Sequence, residues 1–383
     1  MAKSLSDPVV KFFVSVIGLV VIFAVLKELQ HIFIPLVISC FLFFLFQPLN
    51  EYLEKKKIPY YVAIFIDLVI MIGLIWGISS ILIESFSRFG AEIFIYEKKL
   101  NNIISDTAMS IGLRDPLFTE FDLSKILEDL DYGDMAGSFF TSTFSIFSST
   151  FFVLFFFIFI SIGYENVYIV IKKRYVNKKV TKSMKKIKKD AKKEEAEVLP
   201  EIDMEELKLE REKELETTFR DITSQVQRYI SIKFLISLLT GVVAGILLWL
   251  FGVDFFIVWA VITILLNFIP NIGSTIAVIL PALMTLVQFE SFGYAIVVTA
   301  VLVSIQTAIG NGLEPKVFGD RLGLNPIVIL FALLLWGYVW GIVGMFLSVP
   351  LTSVAQIIMS RSNSPNLWFI SELMKNKPNP SAL

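Results

Sequence analysis

The chain of 383 residues predicts an all-α polytopic membrane protein with about six full transmembrane helices and two oppositely oriented broken or re-entrant helical hairpins. An outward amphipathic segment and a cytoplasmic charged helical arm complete it. Three observations carry that prediction. Hydrophobic residues make up 55% of the chain, with 36 phenylalanines, and the mean hydropathy of +0.72 is far from that of soluble domains. Apolar runs at 9 to 26, 32 to 49, 60 to 83, 139 to 162, 229 to 253 and 292 to 310 approach or exceed the crossing length of about 20 residues. Two further apolar stretches, 255 to 289 and 326 to 359, are each broken midway by turn-forming residues.

The first run is read as a retained helix, because Lys27-Glu28-Leu29-Gln30-His31 follows it without a small-residue cleavage site. Cys40, the only cysteine, excludes an intramolecular disulfide and suits a buried small hydrophobe. Charge sets the orientation, since Lys and Arg beside spans stay on the cytoplasmic side. Between 172 and 193 stand twelve Lys and Arg against one acid, Asp190. That connection belongs inside. The 87 to 137 connection holds ten acids against five basic residues and belongs outside. Lys55-Lys56-Lys57 and the tail then fall in the cytoplasm, as does the N-terminus. The resulting organisation is helices 1 to 3 in 1–86, an extracytoplasmic amphipathic segment in 87–137, helix 4 in 138–171, the charged arm in 172–228, a hairpin-bearing core in 229–360 and a cytoplasmic tail in 361–383. Breaks at Gly112, Asp115-Pro116 and Gly133 suggest small helices lying on the outer surface. In the arm, Pro200 and the acids after it mark a helix start, and that helix is expected to run on from Glu201 to Leu250.

The stretches 255 to 289 and 326 to 359 hold 35 and 34 residues, whereas two full crossings need roughly 40 plus a turn. Half-depth hairpins fit. Their breaks read Asn267-Phe268-Ile269-Pro270-Asn271-Ile272-Gly273 and Trp336-Gly337-Tyr338-Val339-Trp340-Gly341-Ile342-Val343-Gly344. Irregular backbone at membrane depth survives only where protein covers it or water reaches it, and such places are where transporters hold solutes or ions. Parity makes the first hairpin enter from outside and the second from the cytoplasm.

Asn267, Pro270, Asn271 and Gly273 are therefore candidates for a path or binding site. Their neutral amides suit hydroxyl-rich ligands or a cation, and equally suit capping of the two half-helices. Gly341 and Gly344 are the counterparts in the second break. Gln306, one turn inside its span, is a candidate path residue; Asn311 and Glu314 lie in the expected loop from 311 to 325, where Glu314 is either a proton acceptor or simply solvated. Asp67, about two turns into the third span, is the second ion-coupling candidate, with a packing hydrogen bond as the plain alternative. Lys233 near a helix end is read as snorkelling to the interface. Three GxxxG spacings, from Gly73, Gly241 and Gly337, are read as close-packing sites.

At the two breaks and the loop between them the chain resembles the autoinducer-2 exporter (AI-2E) family of bacterial membrane proteins. The residues are Phe268-Ile269-Pro270-Asn271-Ile272-Gly273 with Leu280-Pro281, Asn311-Gly312-Leu313-Glu314-Pro315-Lys316, Arg321-Leu322-Gly323-Leu324, and Leu335-Trp336-Gly337 through Gly344-Met345 to Val349-Pro350-Leu351. The resemblance implies a bacterial inner-membrane protein that exports a small polar signal molecule or exchanges sodium or lithium for protons. It also implies a homo-oligomeric ring, of five subunits. The Lys-then-Glu arm departs from the family pattern.

No Walker-type loop, paired cysteine or nucleophile elbow is present, and the single histidine, His31, has no metal-ligand partners in sequence. No cofactor, metal, enzymatic chemistry or nucleic-acid partner is expected. The partners expected are the lipid bilayer, a small polar solute or monovalent cation, and further copies of the chain. A membrane-anchored scaffold recruiting a protein through the charged arm is the reading from another class.

Overall fold

The computed structural model describes residues 8–112, 148–170, 172–174, 181, 204–269, 272–318, 324–360, 362 and 364–376. Among them the regular structure is helical throughout, save one isolated bridge between Leu324 and Lys375. The helices are α1 (Pro8–Glu28), α2 (Gln30–Lys55), α3 (Tyr60–Ser110), α4 (Ser148–Arg174), α5 (Met204–Leu250), α6 (Phe256–Leu266), α7 (Ile272–Phe289), α8 (Phe292–Thr307), α9 (Glu314–Phe318), α10 (Pro326–Ser360) and α11 (Pro365–Leu373). A π-helical turn, Ala308–Leu313, joins α8 to α9. Seven of the described helical stretches are long and apolar enough to cross a membrane. This is an all-α polytopic membrane protein.

Two elements differ from expectation. The crossing expected at 60 to 83 is only the first half of α3, which runs unbroken for 51 residues to Ser110. No proline interrupts residues 84 to 110, and Arg88 pairs with Glu92 at 3.0 Å one turn on, so nothing stops the helix before Gly112. The other break-forming positions, Asp115-Pro116 and Gly133, and most of the basic block of the arm lie outside the described residues, but Lys172 at its start pairs with Glu212 of α5 at 3.1 Å. The expected polar loop at 311 to 325 is likewise helical in its first part. Pro315 falls in the first turn of α9, where a missing N–H does no harm. By contrast, α5 is the long continuous helix expected of the arm, with 47 residues.

Both expected breaks are present. Between α6 and α7 the helix stops at Leu266 and resumes at Ile272. Within α10 the helical path fails at Trp340 and at Gly341, whose φ of 60° favours glycine. In each the chain doubles back. A Cβ on Gly273 would lie 1.8 Å from the Leu266 carbonyl oxygen, and one on Gly344 would lie 1.9 Å from that of Trp336. Seven or eight residues of straight helix would separate those groups by about 10–12 Å. The same packing device thus recurs at both tips.

Outside the tips, small residues fix α6 to α5. A Cβ on Gly241 would meet Ile264 Cγ1 at 2.3 Å, and one on Gly245 would meet Ala260 Cβ at 2.8 Å, so this GxxxG is a close-packing site. Gly73 and Gly77 of α3 face open space. At the far end of the hairpin a polar cluster holds its base. Gln288 accepts from the Asp254 amide and donates to the Gly252 carbonyl, both at 2.8 Å. From α3, Tyr96 donates to Asp254 at 3.0 Å and Arg88 approaches it at 3.4 Å. Arg88 also holds the Glu92 carboxyl below its usual range by hydrogen bonding to it.

Gly273→Ala should lower the melting temperature of the purified protein clearly, since overpacking costs about 1–3 kcal/mol and here the obstacle is backbone. Gly77→Ala, made into open space, should leave the melting curve unchanged.

Candidate functional site

The residues of the first tip, the π turn and α5 come together around one cavity of about 510 Å³. Asn267 and Ile269 of the tip, Gln306 of α8, Asn311 of the π turn and Glu314 of α9 all line it, as does Lys233 of α5. Four of the sequence candidates therefore share one space. Gly273, buried against Leu266, shapes the tip rather than lining the cavity. Pro270 and Asn271 lie outside the described residues.

Lys233 is the residue that sequence reasoning underrated. It is 5% exposed, and its ammonium sits 2.7 Å from Glu314 Oε1 in an ion pair. It does not snorkel. Lys233 lies about 25 Å along α5 from Leu250 at 1.5 Å per residue, with Glu314 there to receive it. Glu314 is correspondingly no solvated loop acid. A signal existed in the sequence: Tyr229, Lys233, Ser237 and Thr240 recur at helical spacing along α5, and all four are buried. Four polar residues on one stripe of an apolar span mark a face turned toward something other than lipid.

Asn267 uses its amide on this same stripe, Nδ2 donating to Ser237 Oγ at 3.2 Å. It closes α6 with its backbone N–H, which donates to the Leu265 and Thr263 carbonyls. Gln306 Nε2 is buried without a hydrogen-bond partner, in a cavity it lines. The chemistry on offer is an amide donor, an asparagine, hydroxyls of Thr299 and Thr307 nearby, and a compensated charge pair. Such a set offers hydrogen-bond donors and acceptors with no net charge.

Gly341 and Gly344 stand elsewhere. Their tip packs against α1, with Trp340 Nε1 donating to the Leu26 carbonyl at 2.9 Å and the Lys27 ammonium 3.8 Å above the Tyr338 ring. The second hairpin reaches the cavity through its arms, by Ile329 and Val349. Asp67 is also separate. It is fully buried on α3, where Asn50 of α2 donates to its Oδ2 at 2.8 Å.

Broken hairpins, an inward-facing polar stripe and apolar outer surfaces agree with the comparisons. The profile described as AI-2E family transporter matches residues 13–200 and 203–364. The chain belongs to the AI-2E transporter family. A protein of Haemophilus influenzae, provisionally named a transport protein, is 30% identical over 352 residues, covering 91% of each chain. One from Borreliella burgdorferi, named in the same way, is 29% identical over 355 residues, covering 91% of this chain and 86% of its own. The AI-2 transport protein TqsA of Escherichia coli is 42% identical over 137 residues, or 36% of this chain and 40% of TqsA. A multi-pass bacterial membrane transporter is the identity these matches support.

Removing one member of the ion pair should be asymmetric. Glu314→Gln strands the more deeply buried Lys233 and should approach the roughly 3–5 kcal/mol typical of an orphaned buried charge, with Lys233→Met milder. A double variant, Lys233→Met with Glu314→Gln, should recover most of the loss, as read by thermal melts of all four proteins.

Proposed function

We propose that this protein is a secondary or facilitated transporter that exports a small polar solute across the bacterial inner membrane, holding it in the cavity between the first hairpin tip, α5 and α8–α9. One observation carries the proposal: a half-open cavity of mixed polar and apolar lining that contains a compensated ion pair and an unpartnered amide, placed where a helix is broken. The relationship to TqsA makes autoinducer-2 the first solute to try. With both chain termini in the cytoplasm, as the lysine and arginine distribution favours, the first tip points inward and the second outward. Exposed apolar side chains along α3 and α10, among them Trp76, Phe331 and Tyr338, suit lipid and contacts between copies in a homo-oligomer.

Exchange of sodium or lithium for protons is a second reading, favoured by the buried Asp67 carboxylate. It requires sodium gradients to drive proton movement in vesicles containing no organic solute.

Everted vesicles carrying the full chain should accumulate autoinducer-2 or a similar small polyol, and Gln306→Leu should reduce the rate at least tenfold while the protein still inserts and melts as before. Equal rates in wild type, Gln306→Leu and empty vesicles for every solute tried would refute the transport proposal.

A further inference from the structure

A second polar site lies apart from the cavity, at the seam where α2, α3 and α4 meet. Along α2 the buried stripe is Ser39, Phe43, Phe46 and Asn50; along α3 it is Ile64, Asp67 and Met71; α4 contributes Phe157 and Ser161. Phenylalanines dominate this seam, yet it encloses a carboxyl group with no solvent exposure at all. Asn50 Nδ2 donates to Asp67 Oδ2 at 2.8 Å. The remaining oxygens of the two groups, Asp67 Oδ1 and Asn50 Oδ1, are both buried and both without a partner. So is Gln47 Oε1, one turn before Asn50 on α2.

These three orphaned atoms are acceptors, while Ser161 Oγ of α4, also buried and unpartnered, is a hydroxyl elsewhere in the seam. An ionised Asp67 would leave a bare negative charge beside two more lone pairs, in a place where each unsatisfied group costs several kcal/mol. No cation offsets it among the described residues. The titratable groups felt by Tyr60, at the foot of this seam, are Asp67 itself, Glu54 of α2 and Tyr164 and Glu165 of α4, all neutral or anionic. On α5, which packs against α2, Arg220 and Arg228 are exposed. Within the Asp67–Asn50 pair itself one donor is missing, and a proton supplies it.

We propose that Asp67 and Asn50 form a proton-binding site distinct from the solute cavity. A carboxylate and one proton, taken from water, give a neutral acid whose O–H on Oδ1 provides the donor that its own oxygen and the Asn50 carbonyl lack. The two unpartnered oxygens belong to the same two planar groups as the bonded pair, so a single proton serves both. Release returns the proton to water when the seam opens, leaving a carboxylate that only hydration makes tolerable. Coupling of that cycle to solute movement rests on the transport reading; occupancy by a proton does not.

Infrared spectroscopy of the full chain in lipid vesicles tests the site without any solute. The carbonyl stretch of a protonated carboxylic acid should be present at neutral pH, absent from Asp67→Asn, and shifted to higher frequency in Asn50→Leu, which removes the amide bonded to the acid. Asp67→Leu, which fills the same space without polarity, serves should the amide variant fail to fold. Spectra of wild type and both Asp67 variants that coincide in this region would overturn the proposal. So would loss of the band when choline is replaced by sodium at fixed pH, since a metal cation would then own the site. Abolished transport with the band intact would count against solute export and leave the proton site standing.

Discussion

A chain that turns back on itself inside an apolar layer must leave part of its backbone without helical partners, and nothing in lipid can replace them. The first tip meets that constraint with its own main chain. Asn267, Phe268 and Ile269 donate to the carbonyls of Thr263, Leu265 and Leu266 at 2.8 to 3.1 Å, and Gly273 then donates to Ile269 at 3.1 Å. Only a residue without a side chain lets the second arm lie on the Leu266 carbonyl while this is done. With these four amides paired by main chain, the Asn267 side chain is not needed there. It faces α5 instead, and the polar cavity follows from that release.

The rest of the hairpin is immobilised on α5. Gly241 and Gly245 bring α6 into backbone contact with it, and the Asp254–Gln288 cluster locks the two arms at their base while tying them to α3. Rings reinforce this end, with Tyr96 and Phe89 stacked at 5.8 Å and Phe255 edge-on to both. The left-handed backbone of Gly252 and Phe255 makes the tight entry into α6 possible. This hairpin and α5 are therefore one rigid wall.

Most of this architecture was legible in the sequence because hydropathy and glycine placement report on backbone needs directly. The two breaks fell within Asn267–Gly273 and Trp336–Gly344, the second at Trp340 and Gly341, and α5 ran through from arm to membrane. The membership of the site was less legible. A lysine one turn from polar neighbours reads as a snorkelling end until its partner is known, and Glu314 lies 81 positions away across a segment that pattern alone left as loop. Opposed tips also invite the idea of a shared site, but Trp340 finds its partner in the Leu26 carbonyl, a contact no periodicity announces. Helical continuity through Ala308–Leu313 was hidden for a similar reason: a π turn accommodates Gly310 and Gly312 without the pattern that marks an ordinary helix.

That π turn bears on which wall moves in the proposed cycle. With α5, α6 and α7 bound together and α8 packed on α7, its Tyr294 donating to the Phe251 carbonyl at 2.8 Å, the more loosely held side of the cavity is α9, attached through the Lys233–Glu314 pair and the Tyr229–Phe318 rings at 5.3 Å. A wide turn before α9 supplies slack beside Gln306 and Asn311, which line the cavity. Swinging α9 away would part a lysine and a glutamate that tolerate separation only if water or a solute replaces each partner. The ion pair then works as a latch whose opening requires hydration of the cavity. A compensated pair at the latch and an uncompensated acid in the α2–α3 seam are complementary in this respect: the first resists opening while dry, and the second resists losing its proton while dry. In the proposed cycle both would respond to the same event, the arrival of water, so that two polar sites on different helices would be linked without touching.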